Sequence, residues 1–131
     1  MNDPINLIQI IGFENETLNF GNLLSKNNSI IIKNCSNVKI IIQSKINKIT
    51  IEKSNKLLIN VHKLITGIEI AHSKSILISS DIDDESSTCS KIPFIDMFKS
   101  TIYLVGSIKL YSNIKVISDQ SELFHLDTAE M

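Results

Sequence analysis

From Ile30 to Ser80 the apolar residues of this chain recur every nineteen positions, a pattern that few folds can use. Ile30, Ile49 and Ile68 fall in one column, and Ile32, Ile51 and Ile70 in the next. Val38, Leu57 and Ile76 form a third column, and Ile40, Ile59 and Ile78 a fourth. Ile46 and Ile65 repeat at the same offset, and Cys35, Ser54 and Ser73 share a small-residue column between the two apolar pairs. A fixed period near twenty marks a solenoid, because one such repeat cannot bury its apolar face alone. Within each repeat the apolar spacing is i, i+2, so the coils are built from short strands. The expected fold is all-β, a right-handed parallel β-helix of about six coils forming a single domain over residues 1–131.

Composition agrees with stacked strands. Hydrophobic residues make up 43% of the chain and aromatics only 5%, and isoleucine supplies most of the apolar set. Stacked coils bury β-branched side chains in continuous ladders. A net charge of −1 gives no electrostatic reason to expect nucleic acid or an anionic membrane. All basic residues are lysines; arginine is absent. No charged segment precedes an apolar run at the N-terminus, and no stretch approaches the roughly 20 apolar residues of a membrane span. Two cysteines, Cys35 and Cys89, are too few for a disulfide framework. Cys35 is expected to be a reduced, half-buried thiol, and the setting cytoplasmic.

The ends of the repeat are less regular. Ile11 and Phe13 stand nineteen before Ile30 and Ile32, which suggests a first coil there, followed by Leu18 and Phe20 with a one-residue slip. Terminal repeats of solenoids are usually atypical because they cap the core. Corners carry Asn34, Ser36, Asn37, Ser54, Asn55 and Lys56, residue types suited to bends. After Ser80 comes an acidic stretch, 81–88, and the columns resume at Ile92, Ile95 and Met97. Ile95 follows Ile68 by 27, which is nineteen plus an eight-residue insertion. On that spacing Ser100 joins the small-residue column, and Tyr103 and Val105 the second-strand columns. Ile114 and Val116 fall nineteen beyond Ile95 and Met97, and a last strand runs near Leu123 to Leu126.

Few residues suggest chemistry. Asp81, Asp83 and Glu85 alternate, but the turn glycine and distal glutamate of a calcium loop are missing, so a solvated loop is expected. His62, His72 and His125 never have ligand spacing, and no cofactor is expected. Cys89 has no CxxC partner and no nearby basic cluster, and neither a nucleophile elbow nor a phosphate loop occurs. Strand parity points Leu58, Leu77 and Leu104 outward, with Ile41 and Asn60 beside them. Such a stripe is either covered by a terminal segment or binds a partner. Lys33, Lys39, Lys45 and Lys48 are expected to crowd neighbouring outward positions.

The run Lys45-Ile46-Asn47-Lys48-Ile49-Thr50-Ile51 resembles the K-I-N-S-I-T-V run of the C-terminal domain of cyclase-associated proteins. The likeness continues through Leu57-Leu58-Ile59, Gly67-Ile68-Glu69-Ile70 and Ser73-Lys74, where the family has E-I-x-x-S-K. Lys91-Ile92-Pro93-Phe94-Ile95 is similar to K-V-P-T-I, and Tyr103-Leu104 and Ser121-Glu122 extend the match over most of residues 30–126.

The resemblance implies a right-handed six-coil β-helix that binds actin monomers, prefers the ADP form and promotes nucleotide exchange without being an enzyme. It implies a place in the actin cytoskeleton and a homodimer formed through the C-terminal end. The helical domain, proline-rich linker and verprolin-homology motif of longer members do not occur in this sequence, nor does the family's strand-exchanging C-terminal segment. Candidate actin contacts are Lys45, Asn47, Lys48, Leu58 and Leu77, chosen from the family-like stretches and outward parity. A sister group, the tubulin-folding cofactor C proteins, stimulates GTP hydrolysis through an arginine in Q-x-R-x-H. His72 matches that histidine, but the arginine position is Ile70, and lysine is no substitute for a planar, always-charged finger. A carbohydrate lyase would need acids clustered with strong bases in one groove, whereas the acids gather in the insertion.

Overall fold

The computed structural model describes residues 6–80, 91–111 and 113–127. The acidic stretch 81–88 and Cys89 lie outside the described residues. Among the described residues ten strands form one all-parallel sheet that winds into a β-helix. In chain order they are β1 (Asn6–Ile11), β2 (Glu14–Gly21), β3 (Asn28–Lys33), β4 (Ser36–Glu52), β5 (Asn55–Ala71), β6 (Lys74–Ser80), β7 (Phe94–Phe98), β8 (Thr101–Val105), β9 (Lys115–Asp119) and β10 (Glu122–Leu126), with a 3-10 turn at Ile108–Tyr111. A first face stacks β1, β3, the end of β4, the end of β5, β7 and β9. A second face stacks β2, the starts of β4 and β5, β6, β8 and β10. The result is five complete turns and the start of a sixth.

The nineteen-residue columns are the ladders of the core. Ile30, Ile49 and Ile68 stack in register on the first face, and Ile40, Ile59 and Ile78 on the second. All are buried. The third side is short: Lys45 stands opposite Lys63 and Ile46 opposite Leu64, and the Leu64 amide donates to the Lys91 carbonyl at 2.9 Å. Leu64, not Ile65, therefore closes this side, and Ile65 is exposed. A register shift between Ile42 and Lys45 shortens the offset to eighteen, and a second between Ile46 and Lys48 restores nineteen. Gly67 stands just beyond it at φ +135°, where a Cβ would lie 2.1 Å from the Phe94 carbonyl oxygen, so this close approach of coils requires glycine.

Two columns of left-handed residues shape the corner between the faces. Gly12, Asn34, Lys53, His72, Lys99 and Gln120 provide one in every coil. A second, Asn15, Asn37, Lys56 and Ser75, occurs in the first four coils. Between them lies the small-residue column. The Ser54, Ser73, Ser100 and Ser121 hydroxyls accept from the amides of Cys35, Ser54, Ser73 and Ser100, at 2.9–3.2 Å. Each hydroxyl donates in turn to the carbonyl two residues earlier. Cys35 ends the column as a free thiol, fully rather than half buried, with Sγ 3.4 Å from the Ile10 and Lys33 carbonyl oxygens.

Register departs from nineteen in the outer coils. Ile8 and Ile10, not Ile11 and Phe13, stack on Ile30 and Ile32, an offset of 22. Ile11 and Phe13 are exposed instead. The extra length is taken up in the turn after Gly21, where Leu23 is also exposed. At the other end Val116 pairs with Ile95, and Ser118 with Met97, an offset of 21. The insertion behaves as two numbers: Ile68 to Ile95 is 27, but Ile76 to Ile102 is 26. Coil five lacks the second left-handed residue, so its second strand starts one position sooner. Ile102 and Leu104 are therefore the buried pair, and Tyr103 and Val105 turn outward.

Two substitutions test this architecture. Ile59→Ala, in mid-ladder, is expected to lose about 2–5 kcal/mol, whereas Thr50→Ala on the outer surface stays within about 0.5 kcal/mol. Equal urea midpoints for the two would contradict the register. Ser73→Ala strands the Ser54 amide in the interior and is expected to cost about 1–3 kcal/mol, read from the same denaturation curves.

Candidate functional surface

The outer surface of the second face is set by side chains that alternate with the core ladders. One row runs Thr17, Lys39, Leu58, Leu77, Tyr103, Phe124. The next runs Asn19, Ile41, Asn60, Ser79, Val105, Leu126. Leu58 and Leu77 are half-buried and adjacent, as the alternation predicts. Leu104 is not with them; it is inside, and Tyr103 takes its place because of the missing corner residue. The Tyr103 and Phe124 rings stack at 5.1 Å and 18°. The spacing could have shown this: Ser73 precedes its inward isoleucine by three residues, Ser100 by two.

Leu58 and Leu77 line an open groove of about 430 Å³ with Lys39 and Lys56 beside them. Further lysines follow the same corner: Lys53, Lys74 and Lys99 are exposed, and Lys99 lies 5.4 Å from the Phe98 ring centre. His72 meets the same ring edge-on at 5.3 Å. Sequence reading missed this basic corner because its lysines belong to three different coils.

The other three candidate residues stand elsewhere. Lys45 is exposed on the third side, directly opposite Lys63. Asn47 joins a polar ladder, donating to Ser29 Oγ at 2.9 Å and accepting from Thr66 Oγ1 at 2.8 Å. Lys48 opens the first face, held by Glu69 at 2.6 Å. The lysines expected to crowd together are thus spread out: Lys33 pairs with Glu52 at 3.9 Å on the first face, and Lys39 lies on the second. A one-dimensional count of outward positions ignores which side of the coil each occupies.

Among the described residues no three His, Cys, Asp or Glu side chains converge as a metal site, and no helix is long and apolar enough to cross a membrane. Tyr111 is the buried polar aromatic. Its hydroxyl donates to the Val105 carbonyl, with the Ile78 carbonyl at 3.3 Å, and His125 packs edge-on against its ring. Burial pushes this phenol up to about 12, against a smaller lowering by a backbone hydrogen bond from Ser80. At physiological pH it is a neutral structural donor, not a base. A raised phenol pKa favours the folded state while the group is protonated. Its contribution is complete below about pH 10 and is lost as pH rises toward about 12. Tyr111→Phe is therefore expected to lose less stability than the parent between those limits, as measured by urea midpoints across the range.

Comparisons with known proteins by family model and by solved structure agree. The family model described as adenylate cyclase associated (CAP) C terminal matches residues 8–105. The crystal structure of cyclase-associated protein from Cryptosporidium parvum is similar in fold, with a TM-score of 0.75 and 22% identity. The alignment covers 95% of this chain and 73% of that one. No curated protein sequence matches.

Proposed function

Because this chain belongs to the family of cyclase-associated protein C-terminal domains, we propose that it binds actin monomers, prefers the ADP form and speeds exchange of their nucleotide. The observation that carries the reading is the family match across most of the β-helix. The activity would need no chemistry of its own: a partner that binds the open-cleft state of actin better shifts actin toward that state. On this reading the protein works in the cytoplasm with the actin cytoskeleton and is not an enzyme. The GTPase-stimulating alternative loses support, since the arginine position of its motif falls on Ile70, buried between Ile51 and Met97.

The proposed actin contacts remain Lys45, Asn47, Lys48, Leu58 and Leu77. They fall into two groups, one around the third side and one on the second face, so substitutions can separate them. Lys45→Glu is the cleaner probe of the first group, because it exchanges a like-charge pair with Lys63 for an attractive one. Lys48→Glu would instead oppose Glu69. Homodimerisation through the C-terminal end belongs to the same proposal. There β9 and β10 form the last rungs, with Ile117, Phe124 and Leu126 exposed.

The test is release of a fluorescent nucleotide from ADP-actin with and without the protein, at two ionic strengths. Faster release that weakens with salt is expected, and Lys45→Glu should lower affinity without lowering the melting temperature. Unchanged release at high protein excess, with no complex formed, would overturn the actin reading.

A further inference from the structure

The groove on the second face has a structural cause. In coils one to four the corner holds a left-handed residue outside the strand register, at Asn15, Asn37, Lys56 and Ser75. These four form a ridge along the helix axis, and all four line the groove. The outward row Thr17, Lys39, Leu58, Leu77 runs beside the ridge and forms the groove's floor. The ridge stops at coil five, which has no such residue, and so the groove stops there too. Four coils stacked about 4.8 Å apart give a trough roughly 14 Å long, the span of about four extended residues.

Charge is graded along this trough. Lys39 and Lys56 line it over coils two and three, and Lys74 stands just beyond it at the start of β6, lining a neighbouring depression with Lys99, whereas Glu14 opens β2 in the same register column at the coil-one end; all five are exposed. Neither of the two described salt bridges involves them. Glu16 is the single carboxylate among the lining residues, at the coil-one end. Leu58 and Leu77 put an apolar floor at the coil-three and coil-four end.

We propose that this groove is a docking site for a short, extended acidic segment of a partner protein. Its aliphatic side chains would rest on Leu58 and Leu77, and its carboxylates would meet Lys39 and Lys56, with Lys74 at the edge. Glu16 repels carboxylates at the coil-one end, so the acidic residues are placed over coils two to four. Charge complementarity selects the partner: an apolar patch flanked by Lys39 and Lys56 disfavours basic peptides and favours acidic ones carrying leucine. The groove shares Leu58 and Leu77 with the proposed actin contacts, but the two readings are tested apart: failure of peptide binding leaves nucleotide release from actin untouched, and the reverse.

The test is fluorescence polarisation of a labelled eight-residue peptide of aspartate, glutamate and leucine against the whole chain, with a peptide carrying lysine at the acidic positions as control. Saturable binding of the acidic peptide alone is expected, weakened by salt. Lys39→Glu with Lys56→Glu should weaken it about tenfold or more, while Lys115→Glu, exposed on the first face, should leave it unchanged. Amide chemical-shift changes should centre on Lys39, Leu58 and Leu77, which keeps the test valid if the double variant folds poorly. Absence of saturable binding, equal binding of the lysine peptide, or equal loss with Lys115→Glu would overturn the proposal.

Discussion

The hydroxyl column at the corner between the two faces is the interaction on which the β-helix depends. Along a face, backbone groups are satisfied by the neighbouring coil through the parallel ladder. At a corner the chain must change direction while its amides and carbonyls remain buried, where an unpaired group costs about 1–3 kcal/mol. Serine resolves this twice over, since one hydroxyl accepts from the amide of the preceding coil and donates within its own corner. The backbone around it is completed by coil-to-coil bonds such as Lys53 to Ala71 and Lys74 to Ser54. Only a small side chain fits between apolar ladders, which is why cysteine can stand at Cys35 and a larger residue could not.

The corner also governs the outside of the molecule. One left-handed residue per coil turns the chain, and the second, present in four coils, lifts a ridge beside the second face. Removing that residue in coils five and six shifts strand parity by one relative to the insertion count. Tyr103 then moves out and Leu104 in. A single backbone position therefore decides both where the groove ends and which side chains form the aromatic pair with Phe124.

The interior was legible because every buried position in coils two to four has a neighbour on both sides. A one-residue slip there would send a whole isoleucine ladder into water, so the period is held tightly. Coil one and coil six each have one neighbour, and their offsets of 22 and 21 break the nineteen-residue period. Ile65 departs from its column for a related reason: the third side is too short for alternation to fix it, and the register shift between Ile42 and Lys45 moves Leu64 into the core instead. The basic corner stayed hidden because stacking, not sequence proximity, assembles Lys53, Lys56, Lys74 and Lys99.

The same division explains how a chain with 22% identity can share a fold with the cyclase-associated protein of Cryptosporidium parvum. Conditions on the interior are few and repetitive: a β-branched or leucine side chain at alternate positions, and a small hydrogen-bonding residue at each corner. Many sequences satisfy them, and none of them constrains the outward rows. Thr17, Lys39, Leu58, Leu77 and Tyr103 occupy equivalent backbone positions in successive coils, yet no two neighbours except the leucines are chemically alike. The core is periodic because each coil packs on copies of itself, whereas the outer row is aperiodic because packing places no such demand on it. A partner that reads this face across several coils reads that aperiodic row, held at a fixed spacing by the periodic one beneath it.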